Sequence, residues 1–143
     1  MALFDRLFSK GKKDKKIDSF EKITLNLSGM RYMTEYELLM KDGKAEVSQY
    51  GFKFVPGKDQ RVLQKRVTCD AQTALELLNG CNVLSWDGFY GAHPRGVKDG
   101  TMFTLKATVN EGKSIYASGS QNFPRNFDEF TDGLHKILSD EGK

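Results

Sequence analysis

Imidazole and thiol groups are scarce in this 143-residue chain, which has two histidines and two cysteines. Cys69 and Cys81 stand twelve residues apart on either side of a predicted helix. That spacing makes neither a CxxC redox pair nor half of a zinc site. Free, buried thiols in a reducing cytoplasm are the expectation. His93 and His135 are the only bases such a thiol could recruit, and no spacing pairs either with a cysteine. Also missing are a P-loop, a dinucleotide-binding glycine fingerprint, an HExxH helix and any carboxylate–histidine ligand cluster. We therefore expect no cofactor, no metal and a role other than catalysis, with an enzyme lacking a familiar motif as the alternative.

Long hydrophobic runs are missing too. The one apolar stretch near the N-terminus is interrupted by Asp5 and Arg6, so it is neither a secretory core nor a spanning helix. Ala2 rather than glycine follows Met1, which excludes N-myristoylation, and the C-terminus has no prenylation signal.

What the N-terminus does have is charge. Residues 1–16 hold six Lys or Arg and two Asp, a net of +4, while the whole chain is +3. Residues 17–143 therefore sum to about −1, and the basic character belongs to the tail. Leu3, Phe4, Leu7 and Phe8 would share one face of a helix, and Lys10, Lys12 and Lys13 follow them. Such a segment suits an anionic bilayer surface. Burying a Leu or Phe gives about 1.5–3 kcal/mol, and each lysine beside anionic lipid about 1 kcal/mol. Ordering each residue costs about 1–2 kcal/mol, so the association would be weak, salt-sensitive and reversible. A solubilising extension, docking onto the domain and pairing with a second copy remain open. A nucleic-acid arm is disfavoured, because phosphate binding has no need of the apolar face. The expected location is the cytoplasm, with the tail at the inner membrane surface.

One domain accounts for residues 17–143. It is long enough to bury roughly two-thirds of its unfolded surface without staples. Ile23, Leu25 and Leu27 alternate with Lys22, Thr24 and Asn26, the pattern of a strand. Tyr32–Met40 is a second strand, with Tyr36, Leu38 and Met40 inward and Glu35 and Glu37 outward. Asp42-Gly43 between alternating runs predicts a hairpin. Further strands are expected over Ala45–Phe54, Arg61–Thr68, Thr101–Val109 and Lys113–Ser118. Asp70 is placed to cap a helix that carries Ala71, Ala74, Leu75 and Leu78 on one face and stops at Gly80. A last helix runs from Phe127 to Ser139, with Asn126 and Glu129 at capping-box spacing and Phe127, Phe130, Leu134, Ile137 and Leu138 as its buried stripe. The predicted fold is α+β, a mostly antiparallel sheet of about six strands with two helices packed on one face.

Residues 82–100 lack periodicity, and they hold the constellation richest in chemistry. Trp86, Asp87, Phe89, Tyr90, His93 and Arg95 fall within ten residues. Together they could cup an anion, a peptide or a sugar ring. The plainer reading, which we favour, has Trp86, Phe89 and Tyr90 plug the end of the sheet and Asp87-Gly88 turn the chain. A second segment, Ser118–Phe127, holds Ser118-Gly119-Ser120 without the complete nucleophile elbow. Residues 53–66 hold Lys53, Lys58, Arg61, Lys65 and Arg66 against Asp59, a local +4. A solvated strand face explains that charge without nucleic acid.

Trp86-Asp87-Gly88-Phe89, together with Ser118-Gly119-Ser120 and Phe123-Pro124-Arg125-Asn126-Phe127, resembles a group of small bacterial domains of unknown function. They share a W-D-G-F loop and an S-G-S-x-x-F-P-x-N-[FY] lead-in to a C-terminal helix. The likeness covers roughly residues 80–138 and implies no activity. The expected role is that of a binding or interaction domain for an unidentified protein or small ligand.

Overall fold

A computed structural model describes residues 16–29, 32–96 and 100–139. The strands are β1 (Phe20–Gly29), β2 (Tyr32–Lys41), β3 (Lys44–Val55), β4 (Lys58–Asp70), β5 (Tyr90–Gly91), β6 (Met102–Val109) and β7 (Lys113–Ser120). Helix α1 (Ala71–Gly80) follows β4, a 3-10 turn spans Val83–Trp86, and helix α2 (Phe127–Ser139) follows β7. The strands form one sheet in the order β4-β3-β2-β1-β6-β7-β5. All neighbours are antiparallel except β5 and β7, which run parallel.

The sheet has seven strands, not about six. The additional one, Tyr90–Gly91, is two residues long. Alternation cannot announce a strand shorter than one full period, and this one is set by tertiary pairing with Ser118 and Gly119. The long strands follow from local chemistry. Asp42 and Gly43 take φ of +53° and +79°, both left-handed as a two-residue hairpin requires, and Lys41 pairs with Lys44 across them. Period-two alternation then buries Ile23, Leu25, Tyr36, Leu38, Ala45, Val47, Phe103, Leu105, Ala107, Ile115 and Ala117. Ala74 and Leu78 of α1, and Phe127, Phe130, Leu134, Ile137 and Leu138 of α2, join the same hydrophobic core.

Three helix-cap positions depart from expectation. Gly80 lies inside α1, and the left-handed residue is Asn82 (φ +55°). Asparagine tolerates that conformation, so glycine is not needed. Asp70 holds the cap position with no side-chain bond to the helix, and its carboxylate sits 3.4 Å from Lys44 Nζ. Asn126 is also left-handed (φ +68°), and its amide donates 3.4 Å to the Cys81 carbonyl. A capping box needs an extended residue there, and the tie to Cys81 overrides it.

The domain is sealed where the N-terminal segment joins it. Ile17 is 1% exposed. Its backbone N–H donates to Asn79 Oδ1 at 2.8 Å, and its carbonyl accepts from Asn79 Nδ2 at 3.0 Å. Asn110, at φ +46° in the β6–β7 turn, accepts from the N–H groups of Asp18 and Ser19 and donates to the Lys16 carbonyl. Among the described residues, no helix is long and apolar enough to cross a membrane.

Candidate functional site

The two segments richest in candidate residues, 85–96 and 118–127, meet along the edge of β7. Tyr90 and Gly91 pair with Ser118 and Gly119. Just before them, the Gly88 N–H donates to the Tyr116 carbonyl at 2.9 Å, and the Ser118 N–H donates to the Phe89 carbonyl at 3.1 Å. Asp87 Oδ1 accepts the Tyr116 N–H at 3.0 Å. Asp87 thus substitutes for a ladder carbonyl and closes the edge of β7. The glycines are required by crowding, since a Cβ at Gly91 or Gly119 would collide with the Asn122 carbonyl. Asn122 itself donates 3.3 Å to the Ala92 carbonyl, and His93 Nδ1 lies 2.7 Å from Ser120 Oγ.

The aromatic residues of the segment divide between core and surface. Trp86 is 2% exposed, and its indole N–H donates 3.0 Å to the Arg125 carbonyl. Its ring meets Phe130 edge-on at 5.5 Å and Phe127 at 5.8 Å. Phe89 packs on Phe103, which also contacts Phe123 and Phe127. Such ring pairs contribute about 0.5–1.5 kcal/mol each beyond their burial. Tyr90, in contrast, is 77% exposed, and His93 and Arg95 are exposed with it. The structure therefore places Trp86 in the core, Phe89 half-buried against it, Asp87 on a backbone donor, and Tyr90, His93 and Arg95 at the surface. The candidate membrane residues Leu3, Phe4, Leu7, Phe8, Lys10, Lys12 and Lys13 lie outside the described residues.

Two cations of the basic stretch around β4, Arg61 and Arg66, are paired with acids that are distant in sequence. Arg61 Nη2 lies 2.7 Å from Glu35 and 3.7 Å from Glu37, and its guanidinium stacks 3.5 Å above the Tyr50 ring. Arg66 Nε donates to Ser48 Oγ at 2.9 Å and lies 3.4 Å from Glu46. Arg66 Nη2 donates to Tyr50 Oη at 2.9 Å, and Lys22 Nζ lies 3.5 Å from Glu37. Tyr50 thus holds both guanidinium groups at once. Each arginine needs a carboxylate beside it, because two like charges on one ring would otherwise repel. Sequence reasoning missed this network, since the acids are on β2 and β3.

Neither thiol is activated. Burial pushes Cys81 up, and the nearby Glu129 charge adds to it. Burial also raises Cys69, Asp70 adds, and Lys44 partly offsets them. Both stay protonated near neutrality, the unreactive form. Among the described residues, no group of three or more His, Cys, Asp or Glu could hold a metal ion.

Fold and site define an α+β protein whose seven-stranded, mostly antiparallel sheet is closed at one edge by an aromatic-rich loop. The chain matches no protein-family model and no curated protein.

Proposed function

We propose that this chain is a non-enzymatic binding domain, held at an anionic membrane surface by residues 1–16. The reading takes both helices to cover one sheet face and leaves the opposite face free for a protein or small-ligand partner. On that face Met33 and Leu63 are exposed on the strands flanking the Arg61–Tyr50–Arg66 network, and Met102 and Tyr116 are exposed further along the sheet on β6 and β7. They offer apolar contact area within an ordered polar frame. The location that goes with the reading is the cytoplasmic side of the membrane.

The observation that carries the membrane part is the division of charge at Ile17. The segment before it holds +4 of a chain total of +3. Asn79 and Asn110 fix the chain at that point. The segment therefore leaves the domain beside the β6–β7 turn.

Vesicle co-sedimentation tests this with the full chain and with a chain beginning at Lys16, which keeps the carbonyl that Asn110 holds. The full chain is expected to sediment with anionic but not neutral vesicles at low salt and to be released at high salt. The shortened chain is expected to stay in solution. Equal sedimentation of the two chains, or none in any condition, overturns the membrane role. Tyr90, His93 and Arg95, exposed together on the loop, would then be the leading surface for a ligand.

A further inference from the structure

The register of β1, β6 and β7 sets six polar side chains in a small array on the sheet face opposite Ile23 and Leu25. Lys22 pairs with Thr108, which pairs with Ser114. In the next row on that face, Thr24 pairs with Lys106, which pairs with Tyr116. The two lysines therefore stand on a diagonal, each flanked by hydroxyl-bearing residues on the neighbouring strands. All six line one open hollow of about 390 Å³. That size lies within the usual range of small-molecule sites.

The charge in this hollow is positive. Lys22 has an acidic neighbour at 3.5 Å, Glu37, but Glu37 also lies 3.7 Å from Arg61. One carboxylate thus serves two cations. Lys106 is exposed and forms no ion pair among the described residues. Among the residues that line the hollow, two ammonium groups have one shared carboxylate beside them, an excess of positive charge among hydroxyl donors, while Asp87 is held outside the lining on the Tyr116 N–H at the β7 edge. Arg61 and Arg66, in contrast, each have a carboxylate apart from the shared Glu37, namely Glu35 and Glu46.

We propose that this hollow binds a phosphoryl group, with Lys22 and Lys106 supplying charge and Thr24, Thr108, Ser114 and Tyr116 supplying directed hydroxyl hydrogen bonds. Lysine acts as a mobile point charge toward phosphate oxygens. The fixed, hydroxyl-lined floor distinguishes a tetrahedral oxyanion from chloride. The group could be borne by a soluble phosphate ester or by a lipid headgroup. The site lies wholly within the described residues and does not depend on the N-terminal segment.

The test is a titration of the ¹⁵N-labelled full chain with inorganic phosphate, then pyrophosphate, at constant ionic strength set by chloride. Saturable amide shifts confined to Lys22, Thr24, Lys106, Thr108, Ser114 and Tyr116 are expected, with pyrophosphate the tighter ligand. Lys106→Gln removes one exposed charge and should weaken binding about fivefold, with the other resonances unmoved. Lys22→Gln should do the same. Vesicles of phosphatidylcholine with and without phosphatidic acid separate the two sources. A headgroup site makes binding to the phosphatidic acid vesicles sensitive to Lys106→Gln, and a soluble-ester site leaves it unchanged. Shifts spread over all lysines, no shift at all, or wild-type affinity in both variants overturns the proposal.

Discussion

Replacing Trp86 is the sharpest probe of what the 85–96 segment does. In the native fold its indole is 2% exposed, donates to the Arg125 carbonyl and contacts the rings of Phe127 and Phe130. Trp86→Ala removes that volume from a core with little room to collapse, at a cost of about 3–5 kcal/mol. It also leaves the Arg125 carbonyl without its donor, a further loss of about 1–3 kcal/mol where water cannot enter. Trp86→Phe keeps most of the ring and isolates the hydrogen bond, so about 1–2 kcal/mol is expected. Urea unfolding followed by far-ultraviolet circular dichroism measures both variants, since the only tryptophan is lost as a probe. With a slope of about 2 kcal/mol per molar urea, the midpoint should fall by about 2–4 M for alanine and about 1 M or less for phenylalanine. In the wild-type chain, Trp86 emission should be blue and poorly quenched by acrylamide. A Trp86→Ala loss below about 1 kcal/mol, or a red and freely quenched native emission, refutes the packing role.

Two further outcomes follow from the described contacts. Asn110→Ala removes the clasp on Lys16, Asp18 and Ser19 and puts a Cβ-bearing residue that cannot hydrogen-bond locally at φ +46°. A loss of about 1–3 kcal/mol is expected, with faster amide exchange at Asp18 and Ser19 as the local signature. Burial raises the pKa of Cys81, Cys69 and Tyr36. The unfolded chain therefore releases these protons first, and stability should fall as the pH rises above the ordinary thiol value of 9.0. Urea midpoints measured at pH 7 and pH 10 check this, and Cys81→Ala should flatten the dependence.

Much of this fold was legible where periodicity runs long. Ile23 and Leu25 alternate with Lys22 and Thr24, and the structure buries the first pair at 0% exposure. The α2 stripe read from Phe127, Phe130, Leu134, Ile137 and Leu138 is the set the helix buries. Asp42-Gly43 was equally plain, because left-handed turns restrict residue choice. What sequence could not show was long-range chemistry. Asn79 and Asn110 look like ordinary loop and helix-end residues, yet their partners near Ile17 are 62 to 94 positions away. Asn126 has the spacing of a cap, but contact with Cys81 decides its conformation. The charge count over residues 53–66 saw Asp59 and missed Glu35, Glu37 and Glu46. Likewise the candidate segments 85–96 and 118–127 could each be singled out by composition. Their meeting along β7 could not, because pairing over nearly thirty residues leaves no local trace.

The two edges of the sheet have a consequence for self-assembly. At one end the Tyr116 and Ser118 backbone groups are already taken by Asp87, Gly88 and Phe89, and β5 offers only two residues beyond them. At the other end β4 runs for thirteen residues with no strand beyond it among the described residues. A filament built head to tail consumes both edges of every copy, and here only one is on offer. Edge pairing of two β4 strands would close after two copies. It would also bring the Arg61, Lys65 and Arg66 of both copies to one seam, where like charges oppose pairing. The same loop that completes the core thus limits strand-by-strand polymerisation to a dead end of two.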